Sequence, residues 1–464
     1  MILQRRRKMS KKIKILSPCG ILGYGFPVES FQKGLEDKPD AIVVDAGSTD
    51  AGPHKLGAGV SIVSRMACKK DLLLLIKGSR ELNIPLIIGS AGGSGAKVHT
   101  EWTLDIINEI LEEEKINTRL AIIWADIDNE RVKESNKLGQ VLDMGTNIPK
   151  LNDEIIDTTK SIVAQMGDEP IIEALKEKAE IIVCGRAYDP APFAAVGIYN
   201  GCDPALSYHL GKILECGALC AEPGTTKDCI MGVIEEDSFY VYPTNPIRKC
   251  TPTSVAAHTF YEKDHPYILK GPGIELHLES CEFTAIDDRT VRVKNSKLIK
   301  TPKYYIKLEG ARKILYRTFV VAGVRDPLLI NKLEEVEGLV TQGVKEYFSE
   351  IPESHYKINF INYGLNGVMG DLEPNEEIPK EAGVVFEVLA KTQELASAIC
   401  SSVRSSFMHY GYKGRKSTSG NLAFPFSPSD INFGPVYEFS VYHLMEVKDG
   451  KEVFPIEYRE VKHG

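Results

Sequence analysis

The chain has 464 residues and little of what would mark a membrane, secreted or nucleic-acid-binding protein. No stretch approaches the roughly 18 uninterrupted apolar residues of a membrane-spanning helix. Positive charge is in deficit: Lys plus Arg number 56 against 64 Asp plus Glu, a formal net charge of -8. That balance argues against nucleic acid or an anionic membrane as partner. The basic start has no secretory core. After Arg5, Arg6, Arg7, Lys8, Lys11 and Lys12 only Ile13, Ile15 and Leu16 precede Ser17-Pro18, too few for an apolar core of about 7–15 residues. We expect a disordered lead-in, with Met9 as an alternative start, and a cytoplasmic protein whose ten cysteines stay reduced. Zinc pairs are missing: Cys216 and Cys220 stand four apart without a matching second pair. Internal repeats and low-complexity linkers are also missing.

What is present is 43% hydrophobic and 26% charged residues, the balance of a globular protein. Short apolar runs alternate with helical patterns in the first half. The runs are Ile13–Leu16, Ala41–Asp45, Pro85–Gly89, Leu120–Ala125 and Glu180–Cys184; the helical stretches are Glu29–Glu36, Lys69–Leu82, Glu101–Glu114 and Ile171–Lys178. Runs apolar on both faces read as parallel strands covered by helices on both sides. The fold class is therefore α/β, with an open, mostly parallel, Rossmann-like sheet over residues 13–225. After residue 225 the pattern shortens to alternating runs. It continues with a helix over Leu328–Phe348, strands at Lys357–Asn362 and Gly383–Leu389, a helix over Thr392–His409 and a last strand at Pro435–Val447. That β-α-β-β-α order suggests a ferredoxin-like α+β region, expected over 226–464 and closing the cleft.

Ligands of open parallel sheets bind beyond the carboxyl ends of the strands. Every such end here carries glycine, hydroxyl or charged residues. The third loop, Gly89-Ser90-Ala91-Gly92-Gly93-Ser94-Gly95, could hold an anion on backbone N–H groups with the following helix behind it, or simply turn the chain tightly. It matches neither nucleotide-binding pattern. The first loop spaces Gly20, Gly23 and Gly25 as G-x-x-G-x-G, the reverse of the dinucleotide order, with Asp45 twenty residues beyond. An NAD(P)-dependent oxidoreductase is thus an alternative.

Candidate roles follow. Arg186 is a carboxylate clamp or a structural ion pair with Asp189. Ser48, Thr49, Ser90, Gly92 and Gly93 are further substrate contacts. Asp45, Asp50, His258 and Cys184 are candidates for acid, base or nucleophile, Cys184 needing Arg186 to stabilise its thiolate; a buried, inert thiol is its other reading. Asp126 and Asp128 could share a divalent metal or cap helices. His258 and Glu262, one helical turn apart, could hold a metal, act as base and orienter, or pair on a helix surface. His54-Lys55 is a basic pair at a loop tip.

Several ordered motifs carry a resemblance. They are Asp45-Ala46-Gly47-Ser48-Thr49-Asp50-Ala51-Gly52-Pro53, the Gly89–Gly95 loop, Cys184-Gly185-Arg186-Ala187, Glu215-Cys216-Gly217, and Cys250-Thr251 with Ala256-Ala257-His258-Thr259. Val324-Arg325-Asp326-Pro327, Tyr363-Gly364-Leu365-Asn366 and Pro425-Phe426-Ser427-Pro428-Ser429-Asp430 follow. Together they resemble the AtuA-type family, named for acyclic terpene utilisation, over residues 13–445. The resemblance implies work on organic acids or their coenzyme A thioesters, beside small partner proteins. The expected function is a lyase or isomerase acting on a small carboxylate or its acyl-CoA thioester without a redox cofactor, as a homo-oligomer. A non-catalytic subunit completed by a companion protein is the other alternative.

Overall fold

The computed structural model describes residues 12–145, 148–261, 264–375, 377–416 and 419–463. Its largest sheet has ten strands. Five are parallel: β1 (Ile13–Ser17), β2 (Ala41–Asp45), β3 (Leu86–Gly89), β4 (Thr118–Ile123) and β5 (Ile181–Cys184), in the order β1-β2-β3-β5-β4. The mostly parallel sheet read from the sequence is therefore present. Antiparallel strands flank it. Ile230–Ile234 pairs with β1, Ser238–Pro243 with Ile230–Ile234, and Ile456–Val461 with β4.

Alternation explains why these runs are apolar throughout. Val43, Ile87, Ala121, Ile123 and Ile182 enter one core, while Ile42, Val44, Leu86, Ile88, Leu120 and Val183 enter the other. Every residue of these strands except Lys14 and Arg119 is buried, because both faces are covered. Helices α1 (Val28–Glu36), α2 (Arg65–Leu82) and α3 (Lys97–Glu114) supply Phe31, Leu72, Ile76 and Ile107 to one core. Helices α4 (Asn129–Lys137), α5 (Glu169–Lys176), α6 (Ala191–Tyr199) and α7 (Pro204–Leu214) supply Val132, Ile171, Phe193 and Leu210 to the other. Neighbouring strands β3 and β5 thus send their chains to opposite faces. Their carboxyl ends part there, which makes the topological switch point at which such sheets bind ligands.

Helix starts differ from the sequence reading. Ser64 accepts from the Ala67 N–H and begins α2 four residues early. Helix α3 begins at Lys97, as the loop reading placed it, although its N-cap Ala96 offers no side chain. The Lys97 N–H instead finds the Asp126 carboxylate at the end of β4, a cap from a distant part of the chain.

Contacts divide the chain into two compact units, one ending at Arg312 and resuming at Phe439, the other Lys313–Glu438. Strands Ile230–Ile234 and Ser238–Pro243, beyond residue 225, belong to the first unit and widen its sheet. In the second unit the chain runs strand, helix α9 (Leu333–Tyr347), strand Tyr356–Tyr363, strand Ala382–Ala390, helix α10 (Gln393–His409), strand, with α8 (Pro252–Phe260) earlier in the first unit. The sheet order is Tyr356–Tyr363, Ala382–Ala390, Tyr304–Val324, Ile431–Val447, the ferredoxin-like arrangement. Val384, Phe386 and Val388 alternate into a core with Val340 and Val344 of α9 and Ile399 and Phe407 of α10.

Candidate functional site

The strand-end loops of the first unit converge. Asp45 pairs in register with Gly89. The third loop folds onto the fifth: Ser90 N–H donates to the Gly185 carbonyl at 3.1 Å and Arg186 N–H to the Gly95 carbonyl at 3.0 Å. Gly95 has φ +63°, and a Cβ there would stand 2.1 Å from the Arg186 backbone nitrogen. At Gly92, with φ +66°, a Cβ would stand 2.8 Å from the His99 carbonyl oxygen in the first turn of α3. The glycines serve close backbone packing, and Gly92 and Gly93 are buried. The positive end of α3 faces the Asp126 carboxylate of the chain itself. Ser90 is held at φ +47°, a strained conformation for a non-glycine residue.

Arg186 is 2% exposed and saturated from within. Its Nε donates to Glu309 Oε2 at 2.7 Å, and Nη2 lies 3.5 Å from Oε1. Nη1 donates to Asp189 Oδ1 at 2.9 Å, the Ala187 carbonyl at 2.9 Å and Ser90 Oγ at 3.0 Å. Glu309 comes from strand Tyr304–Val324, which pairs at Glu309↔Val163 with strand Ser161–Ala164. Lys307 Nζ and Gln165 Nε2 complete it at 3.0 and 3.1 Å. Burial would push the Glu309 carboxyl up, but Arg186 and Lys307 overcome it and hold it down at about 2. The guanidinium fork that could clamp a substrate carboxylate is thus occupied by Glu309, and Arg186 acts through the groups it holds.

Beside this brace lies a cluster of buried titratable groups. Burial, then the neighbouring Asp189 charge, raises the Asp45 carboxyl well above its ordinary range against the pull of Arg186. Burial also raises Asp189, with Arg186 opposing and Asp50 adding. Lys212 Nζ, on α7, donates to Glu215 Oε1 at 2.6 Å and lies 4.8 Å from the Tyr261 ring centroid. Cys216 Sγ sits 3.1 Å from Tyr261 Oη. His258, on α8, stacks on Tyr261 with centroids 4.8 Å apart. Burial, with the Lys212 charge, lowers it to about 4, so the ring is neutral at pH 7. Its Nε2 is buried and meets no hydrogen-bond partner among the described residues.

The other candidates separate. Burial, helped by Asp45, pushes the Cys184 thiol up. Arg186 turns to Glu309 rather than to this sulfur, and a Cys184 thiolate at neutral pH is disfavoured. Asp126 and Asp128 serve different helices: Asp126 meets the start of α3, and Asp128 caps α4, accepting from the Glu130 N–H at 2.9 Å. Among the described residues no three His, Cys, Asp or Glu side chains gather as a metal site; Glu262 lies outside the described residues. Ser48 Oγ accepts from the Asp50 N–H at 3.1 Å in an exposed turn. His99 Nε2 lies 3.2 Å from the Lys55 carbonyl, so the turn carrying His54-Lys55 is tied to α3. The Gly23 and Gly25 N–H groups of the first loop donate to Asp71 at 2.8 and 3.0 Å, so Asp71 takes the place a phosphate would need. Asp189, Lys212, Glu215, Lys307 and Glu309 were not singled out for the site in their own right. The i,i+3 spacing of Lys212 and Glu215 is a signal that could have marked that pair; nothing local marks Glu309.

Fold and crevice together define a doubly wound α/β protein with a charged switch point. Residues 83–427 match the family described as acyclic terpene utilisation family protein AtuA. The chain belongs to this family. No curated protein and no solved structure matches it. Among the described residues no helix is long and apolar enough to cross a membrane.

Proposed function

We propose that the protein is an enzyme acting on a small carboxylate or its acyl-CoA thioester, as a lyase or isomerase working by proton transfer. The observation that carries this reading is one cluster with two carboxyls raised by burial, Asp45 and Asp189, and an imidazole lowered to about 4, His258. Pushing neighbouring titratable groups to opposite protonation states is how a site keeps an acid and a base at one pH. His258 takes the proton from the carbon next to the carbonyl. The acid pair returns a proton, to a departing hydroxyl in a dehydration or to the distal carbon in an isomerisation. Lys212, held by Glu215, supplies positive potential for the enolate charge, and the Arg186–Glu309 pair fixes Asp189.

The ten cysteines are all free, which fits a reduced cytoplasmic setting. The test is a turnover screen of hydroxy and unsaturated acids, free and as coenzyme A thioesters. Loss of turnover in both His258→Gln and Asp45→Asn, with folding intact, is expected. No turnover by folded protein in any arm refutes an enzyme acting alone. Activity appearing only on addition of a companion protein makes this chain a subunit, and a thermal shift with NAD but not coenzyme A favours the oxidoreductase.

A further inference from the structure

A cavity of about 330 Å3 opens beside the second strand-end loop, lined by Thr49, Asp50, Ile148, Phe439 and Tyr442. Its size is at the small end of ligand sites, which run from about 300 to 1,000 Å3. An acyl group fits there; a whole coenzyme does not. Two hydroxyls belong to its lining. Thr49 is 2% exposed, and its Oγ1 meets no hydrogen-bond partner among the described residues. A buried hydroxyl left so is costly unless something from outside completes it. Tyr442 Oη accepts from Lys307 Nζ at 2.5 Å, and that ammonium lies 4.0 Å from the ring centroid. An oxygen that accepts from an ammonium keeps its own proton to donate, and donates it more strongly. Phe439, whose ring centroid is 5.5 Å from that of Tyr442, and Ile148 make the apolar wall.

The charge pattern chooses between a free acid and an uncharged carbonyl. The cation behind the wall, Lys307, shares Glu309 with Arg186, at 3.0 and 2.7 Å, and the lining itself carries the Asp50 carboxylate. Neutral donors beside a carboxylate suit a neutral acceptor better than an anion. We infer that this cavity is the acyl pocket for a thioester. The Thr49 and Tyr442 hydroxyls hold the carbonyl oxygen, and a short branched or aromatic chain lies against Phe439 and Ile148. The inference rests on the proposed acyl chemistry and narrows its substrate class from acids or thioesters to thioesters.

The test measures binding without turnover. The 4-fluorobenzoyl thioester of N-acetylcysteamine and free 4-fluorobenzoate are titrated against the full chain by fluorine NMR. The thioester is expected to bind at least tenfold more tightly than the acid. Tyr442→Phe and Thr49→Val should each weaken it about tenfold, as loss of one hydrogen bond implies, while circular dichroism stays that of the wild type. The acid matching the thioester, both variants binding like wild type, or no thioester binding up to its solubility limit overturns the inference. Binding that behaves as expected without turnover of any substrate leaves the pocket standing and removes the proposed chemistry instead.

Discussion

Replacing Glu309 with Gln should destabilise the first unit more than any surface change, because it strands a buried guanidinium. Glu309 is fully buried and Arg186 is 2% exposed. Two estimates of the magnitude agree. Removing one partner of a buried ion pair costs about 3–5 kcal/mol. A carboxyl drawn from 4.5 down to about 2 stores about 3 kcal/mol at about 1.4 kcal/mol per pH unit. The sign follows from the direction: a lowered carboxyl stabilises the fold above pH 4.5, and that stability is lost as pH falls towards 2. Trp102 and Trp124 are the only tryptophans and both lie in the first unit, so urea denaturation read by their fluorescence reports on the right part of the chain. At pH 7 the variant should lose about 3–5 kcal/mol, and its acid loss between pH 4.5 and 2 should be shallower than the wild type's. Arg186→Met with Glu309→Leu should recover only part of the loss, since Lys307 and Asp189 each still lose a partner. A Glu309→Gln variant within about 1 kcal/mol of wild type at pH 7 would refute the buried brace.

Three further outcomes are expected. Gly95→Ala forces a Cβ to 2.1 Å from the Arg186 backbone nitrogen at φ +63° and should lower the thermal midpoint sharply or abolish soluble expression; Gly52→Ala, with φ +97° but open space around it, should cost only about 1 kcal/mol. Burial, with Glu334 adding and Asn362 opposing, raises Glu337 to about 7, so the fold gains stability as pH falls through 7 towards 4.5. Glu337→Gln should therefore slow hydrogen exchange in α9 at pH 8 and change it little at pH 5, and equal effects at both would be the wrong answer. His258, lowered to about 4, should show a flat ring-proton NMR shift from pH 5 to 8, whereas a midpoint near 6.5 would mark it as solvated and unfit for the proposed base.

The parallel strands were legible because each is a short run buried on both faces, and the ferredoxin-like order because α9 and α10 are amphipathic between alternating strands. Other strands were not. Ile456–Val461 reads as Ile-Glu-Tyr-Arg-Glu-Val, polar enough to pass for a tail, yet it pairs residue for residue with β4. As an edge strand only part of it needs to be apolar. Ser161–Ala164 is four residues long and takes its place from Tyr304–Val324. The cap of α3 was hidden for the same reason: Asp126 is twenty-nine residues from Lys97.

Site residues divide along that line too. Strand-end loops were visible from the sequence because their composition is unusual over several residues. The partners that decide what each charge does were not. Arg186 looks from the sequence like a clamp or a partner of Asp189, and it does bond Asp189. Its fork, however, goes to Glu309, 123 residues away, in a run that gives no sign of a buried acid. With that bond in place Arg186 has little left to offer a ligand. Arg186 still pulls both aspartates down, but burial outweighs it, and at Asp45 the Asp189 charge adds to burial. The buried ion pair therefore does more than brace two strands: with the fork of Arg186 on Glu309, burial stays the larger influence on Asp45 and Asp189, and both carboxyls remain raised.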